Sequence, residues 1–136
     1  MRFTRIQIGR WIYFCLACVF IACISAQVLL AGLATFVGAE NWLKHMMFAH
    51  LFGFNIPLIM LIFAFVGRFP QWGYWQLLGV FVTIFLMYFT ANITALVSWL
   101  GAMHPVIAII LFGLSWSIVV KSWKLLHKKR EVGENL

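Results

Sequence analysis

Four apolar stretches, each long enough to cross a membrane, occupy most of this chain, at about residues 11–36, 46–66, 75–98 and 103–122. About 20 helical residues span roughly 30 Å of hydrocarbon. A helix also satisfies its backbone hydrogen bonds within one segment, as hydrocarbon demands. Hydrophobic residues make up 65% of the 136-residue chain and charged residues 10%, too little polarity to cover a soluble domain. The sequence therefore predicts one all-α domain over 1–136, an integral membrane up-and-down four-helix bundle. The end of the third stretch is the least sharply marked, falling between Ala91 and Leu100. Pro57, inside the second stretch, predicts a local kink of the kind membrane helices tolerate.

The charges predict the topology. Arg2, Arg5 and Arg10 precede the first stretch, Arg68 lies between the second and third, and Lys121, Lys124, Lys128, Lys129 and Arg130 follow the fourth. Nine of the ten basic residues thus fall on one side, with Lys44 alone on the other. The positive-inside rule then places both termini in the cytoplasm. The net charge of +7 reads as a topology signal. No folded domain is left to present a basic face to nucleic acid, although the basic tail also suits anionic lipid headgroups. Trp11, Tyr13, Trp72, Tyr74, Trp75 and Trp123 mark one boundary and Trp42 and Trp99 the other, as an aromatic belt does. The first stretch outruns the roughly 7–15 apolar residues of a signal peptide and is expected to be an uncleaved helix. The final residues, Gly133 to Leu136, read as a short frayed tail.

Several chemistries lack their parts. Glu40 is the only acidic residue outside the C-terminal tail and there is no aspartate, so carboxylate pairs, carboxylate-rich metal sites and a Ser-His-Asp triad are excluded. No phosphate- or dinucleotide-binding glycine motif appears. Cys15, Cys18 and Cys23 lie on the first helix. Cys18 and Cys23 are about 140° apart around it, which suits packing better than a shared metal ion. Ser25, Gln27, Thr35, Thr83, Thr90 and Asn92 are expected to satisfy backbone or cross-helix partners. Asn92-Ile93-Thr94 fits a glycosylation sequon, a weak motif at a helix end. Gln27–Phe36 and Gln76–Phe85 look alike and suggest a twofold repeat of helical hairpins.

The histidines carry the functional signal. His50 and His104 open the second and fourth stretches, which run in the same direction, so both imidazoles are expected at one depth near the outer face. Helices two and four of such a bundle face each other diagonally. Ionisable residues inside a membrane are rare and usually functional, and two imidazoles are what a six-coordinate haem iron takes. Gly53, Ala108 and Gly101 are small enough to make room for a porphyrin. His45 competes with His50 as ligand, serves as a propionate partner, or is an ordinary loop residue, the reading its position favours. Lys44 is a second candidate for a propionate.

Short segments add a resemblance. Gln27–Thr35 (QVLLAGLAT), His50-Leu51-Phe52-Gly53 and Met103-His104-Pro105 resemble a group of small bacterial four-helix membrane proteins, and one four-helix half of the haem A synthase family. The resemblance implies haem ligation by His50 and His104 and a place in the bacterial plasma membrane. The chain has Leu51 where that family usually has arginine, one bundle instead of two, and no outer cysteine pair. Glu40, in the loop of that family's acidic residue, lies ten residues before His50. The expected function is therefore a b-type cytochrome-like protein. It would bind haem b for one-electron transfer or haem handling at the extracytoplasmic side, beside a membrane redox partner or oxidase-related proteins. Two imidazoles leave no open iron position, which favours electron transfer over oxygen chemistry. Whether it is an enzyme stays open. The rival expectation is an accessory subunit without cofactor, docking partner helices along Ala31, Gly32, Ala34 and Gly38.

Overall fold

The computed structural model describes residues 4–133. Arg2 and Asn135 lie outside the described residues, as do the side chains of Lys128, Lys129 and Arg130. The described chain is helical: α1 (Arg5–Phe36), α2 (Asn41–Phe52), α3 (Asn55–Val66), α4 (Gln71–Ile93), α5 (Ser98–Gly101) and α6 (Met103–Gly133). Four helical spans are long and apolar enough to cross a membrane: α1, α2 with α3, α4, and α5 with α6 as far as His127. α1 packs against α2, α3 and α6, and α4 against α3, α5 and α6. Among the described residues, α1 does not meet α4, nor α2 or α3 meet α6. This is an up-and-down ring with the second and fourth spans on a diagonal, as the sequence predicts.

One end of the bundle collects Arg5, Arg10, Arg68, Lys121 and Lys124; the other collects His45, His50 and His104. They are called here the basic end and the histidine end. α1 starts at the basic end with a capping box. Thr4 Oγ1 accepts from the Gln7 amide, and the Gln7 side chain accepts from the Thr4 amide. Thr4-x-x-Gln7 is the sequence sign of that start, so the first helix begins before Trp11.

The turn from α3 to α4 brings the first two spans together. Phe69 N–H donates to Ala64 O and Arg68 N–H to Phe65 O, the paired bonds of a Schellman cap, followed by Pro70. The left-handed residue is Arg68, with φ 45°, where glycine is usual. The Arg10 guanidinium donates to Gly67 O (2.9 Å) and Arg68 O (3.3 Å), tying α1 to the end of α3. Backbones meet here as well. A Cβ on Gly9 would lie 2.7 Å from the Gly67 nitrogen.

The buried interior runs along the bundle: Tyr13, Ala17, Phe20 and Ile24 of α1, Phe52 of α2, Met60 and Ala64 of α3, Leu77, Val80 and Ile84 of α4, Leu111 and Ile118 of α6, with Phe69 toward the basic end. Tyr13 stacks on Phe69, Phe14 meets Trp123, and the Lys121 ammonium sits over Trp72. Outward faces carry large apolar side chains such as Val28, Ile62, Phe85 and Ile109, a surface that suits lipid tails.

Three expectations need correction. The second span begins at Asn41, so His45 belongs to a helix and not to a loop. The third ends at Ile93, short of residue 98, and the turn after it leads into α5. The fourth continues past residue 122. The kink expected from Pro57 is present as a break between α2 and α3 at Gly53 and Phe54. Proline lacks the N–H that would bond the carbonyl four residues back, and its ring crowds that carbonyl, which is Gly53 here. The Asn55 side chain donates to Leu51 O (2.7 Å), covering a carbonyl at the break.

Candidate functional site at the histidine end

Helix geometry separates the two histidines of α2. Five residues rotate a helix by about 500°, leaving His45 and His50 about 140° apart on its circumference. One helix face therefore cannot present both to the core. His45 is half-buried and faces α1, where its Nδ1 lies 3.1 Å from Gln27 O. Gln27 Nε2 donates to His45 O (2.9 Å), closing a reciprocal clamp between the helices. Gln27 Oε1 is buried without a protein partner. His50 is exposed. Its ring lies on Tyr88 of α4, with centroids 5.2 Å apart and Nδ1 3.3 Å from the Tyr88 hydroxyl.

His104 opens α6 and is half-buried against α4. Its Nδ1 lies 3.1 Å from Met87 O and 3.2 Å from Thr90 Oγ1. Thr90 sends its own hydroxyl proton to the Leu86 and Met87 carbonyls, so its oxygen also accepts from the imidazole.

These contacts assign protons. A carbonyl can only accept, so the Nδ1 atoms of His45 and His104 carry hydrogen and their Nε2 atoms keep a lone pair when neutral. An imidazole with Nδ1–H on a backbone carbonyl and Nε2 free is the usual arrangement of a metal-ligating histidine. His50 differs: its Nδ1 faces a hydroxyl, which can donate as well as accept, so the contact with Tyr88 fixes no tautomer.

The expected small neighbours serve other purposes. A Cβ on Gly53 would meet the Ala49 carbonyl oxygen at 2.6 Å, so the space beside this glycine is taken by its own span. The space beside Gly101 is filled by Thr94, whose Oγ1 a Cβ would meet at 2.6 Å. Ala108 is half-buried, one turn into α6 from His104. Lys44 donates to Asn41 Oδ1 (2.8 Å), and the buried Asn41 amide donates to Gly38 O (3.0 Å). Ala34 is buried, so Ala31, Gly32, Ala34 and Gly38 do not form one outward-facing stripe.

Cys15 is exposed and Cys18 and Cys23 are half-buried, all three as free thiols, with Cys23 packed against the core. Ser25, Thr35, Thr83 and Thr90 bond carbonyls of the preceding turn, as expected. Asn92 Nδ2 donates to Tyr88 O (2.8 Å), so the sequon amide is engaged within its helix. Gln27 and Gln76 do not occupy equivalent places: one clamps His45 at the histidine end, while the other, near the start of α4, donates to Ser117. No group of three or more His, Cys, Asp or Glu able to hold a metal ion occurs among the described residues.

Sequence reasoning expected Gln27 and Thr90 to satisfy backbone or cross-helix groups but did not tie them to His45 and His104, and it missed the Met87 carbonyl. A carbonyl leaves no trace in the sequence, and an isolated glutamine or threonine on an apolar helix is not distinctive.

No curated protein and no solved structure matches the chain. One family model matches residues 27–95, from Gln27 of the His45 clamp, through both histidines of α2 and all of α4, to just past its end. The match covers half of the sequence, and the chain belongs to this family of unknown function, DUF6220.

Proposed function

We propose that the chain is a multi-pass protein of the bacterial plasma membrane that binds haem b at its histidine end. The basic end faces the cytoplasm, so the histidine end is extracytoplasmic. The single observation that carries the reading is the pair His45 and His104. They sit on diagonal spans at one end, each with Nδ1 on a backbone carbonyl and Nε2 left as a donor to metal.

The donor set fits the group. A metal bound by protein alone takes three or four ligands, which no cluster among the described residues supplies. Haem brings four nitrogens and asks the protein for two. The buried Gln27 Oε1, which has no protein partner, lies beside His45. His45 and His104 would be the axial ligands, with Gln27, Met87 and Thr90 holding the rings in register. His50 is the competing ligand on span two, but it is exposed and committed to Tyr88. When bound, such a haem supplies one-electron chemistry. The kinship with one half of haem A synthase, and a redox or oxidase-related membrane partner, belong to the same proposal.

Absorption spectroscopy of protein purified from haem-replete cells tests the reading. A sharp Soret band with low-spin α and β bands on reduction is expected. His45→Ala and His104→Ala should each abolish the low-spin spectrum, and His50→Ala should retain it. Colourless wild-type protein would overturn haem binding. A spectrum lost in His50→Ala and kept in His45→Ala would restore the His50–His104 pair.

A further inference from the structure

The turn from α3 to α4 carries two arginines. Arg10 reaches it from α1, giving Nε–H to Gly67 O (2.9 Å) and Nη2–H to Arg68 O (3.3 Å). Two of the five N–H groups of its guanidinium are used in this way, and three remain. Arg68 is exposed on the same turn, so a second guanidinium is rooted where the first is held. Like charges gathered on one turn repel unless an anion joins them. Among the described side chains the one carboxylate is Glu40, at the opposite end of the bundle.

Arg68 is also strained. At φ 45° a side chain is crowded by its own backbone, and glycine is not. Glycine would close the same turn with less strain, and strain of this kind is kept where the side chain serves a purpose. Below the turn, Leu58, Ile62 and Phe65 of α3 are exposed at spacings of four and three residues. They form one apolar outward stripe that leads from Arg68 toward the middle of the span.

We infer that this turn binds the phosphodiester of an anionic phospholipid between Arg10 and Arg68. Guanidinium forks match phosphate oxygens in shape and charge. The turn lies beside the belt residues Trp72, Tyr74 and Trp75, at the level of the headgroups. The stripe below it takes an acyl chain, which a free phosphate ion would leave unused. The site stands at the end remote from His45 and His104 and needs only the membrane part of the reading above.

Reconstitution in phosphatidylcholine bilayers with a trace of spin-labelled phosphatidylglycerol, or of spin-labelled phosphatidylcholine, tests it. The immobilised fraction of label should favour the anionic lipid. Arg68→Gly should lower that preference about fivefold, the effect of one arginine at an anionic surface. This variant relieves the turn, so its loss of binding does not come from unfolding. Arg68→Asn, which also accepts a left-handed backbone, should behave alike. Lys124→Gln removes one charge elsewhere at the basic end and should leave the preference nearly unchanged. An equal drop in Lys124→Gln and Arg68→Gly would overturn the site, because a diffuse positive field would then suffice. So would phosphate displacing the lipid where chloride at equal ionic strength does not. A chain that fails to enter phosphatidylcholine vesicles would overturn the membrane placement. One that enters them and shows no preference would overturn the site alone.

Discussion

The two ends of the bundle are held together by different means. At the basic end backbones and rings come close, Gly9 against Gly67 and Tyr13 beside Phe69, and the Arg10 side chain donates to the last carbonyls of the α3 turn. At the histidine end helices are joined by side-chain hydrogen bonds between half-buried groups: Gln27 with His45, and His104 with Met87 and Thr90. Close approach of two backbones marks the first, and hydrogen bonds that tie histidines to neighbouring helices mark the second.

The sharpest way to break the contrast is to change glycines at opposite ends. Gly9→Ala places a methyl 2.7 Å from a backbone nitrogen that cannot step aside. It should destabilise the protein by about 3 kcal/mol, the upper part of the overpacking range. At Gly32, toward the other end of α1, a Cβ meets nothing within 4 Å. Gly32→Ala should stabilise by about 0.5–1 kcal/mol through helix propensity alone. Thermal unfolding in one detergent compares them, and equal effects would remove the distinction between the ends.

A smaller effect is expected from leucine truncation. Leu77 is buried in the interior and Leu43 is exposed at the histidine end. Leu77→Ala should cost about 2 kcal/mol, low for a core leucine because lipid is as apolar as the side chain and mainly packing is lost. Leu43→Ala should stay within about 0.5 kcal/mol of wild type. The same unfolding measurement decides, and a larger loss at Leu43 would place a packed core where none is described.

The smallest effect sharpens the account of the basic end. Arg68 holds a left-handed conformation at the Schellman cap. Arg68→Gly should relieve that strain and raise stability by about 0.5–1 kcal/mol. A loss of stability would mean that the arginine side chain contributes more than its backbone costs.

The four spans, their alternating direction and the gathering of basic residues were legible because each depends on long runs or on many residues together. The start of the second span was not. Asn41-Trp42-Leu43-Lys44-His45 mixes polar and apolar residues at an expected boundary and reads as a loop. Yet Asn41 is buried and bonded to Gly38, and the turn between α1 and α2 is only Val37 to Glu40. That one boundary decided the reading of His45. Placed in a loop, it leaves His50 as the only core candidate; placed in the helix, the 140° between them makes one the inward residue and the other the outward. The contact between His50 and Tyr88 was hidden for another reason. Its two residues come from different spans, and only packing brings them together.

The break at Gly53 and Phe54 has a mechanical side. It makes the second crossing two short rods, not one. The rod toward the basic end is gripped by α1 through Met60, Ala64 and the Arg10 tie. The rod toward the other end is joined to α1 by the Gln27–His45 clamp. Each rod thus has its own attachment to α1, so the position of the outer rod is set by the polar clamp and that of the inner rod by the packed interior.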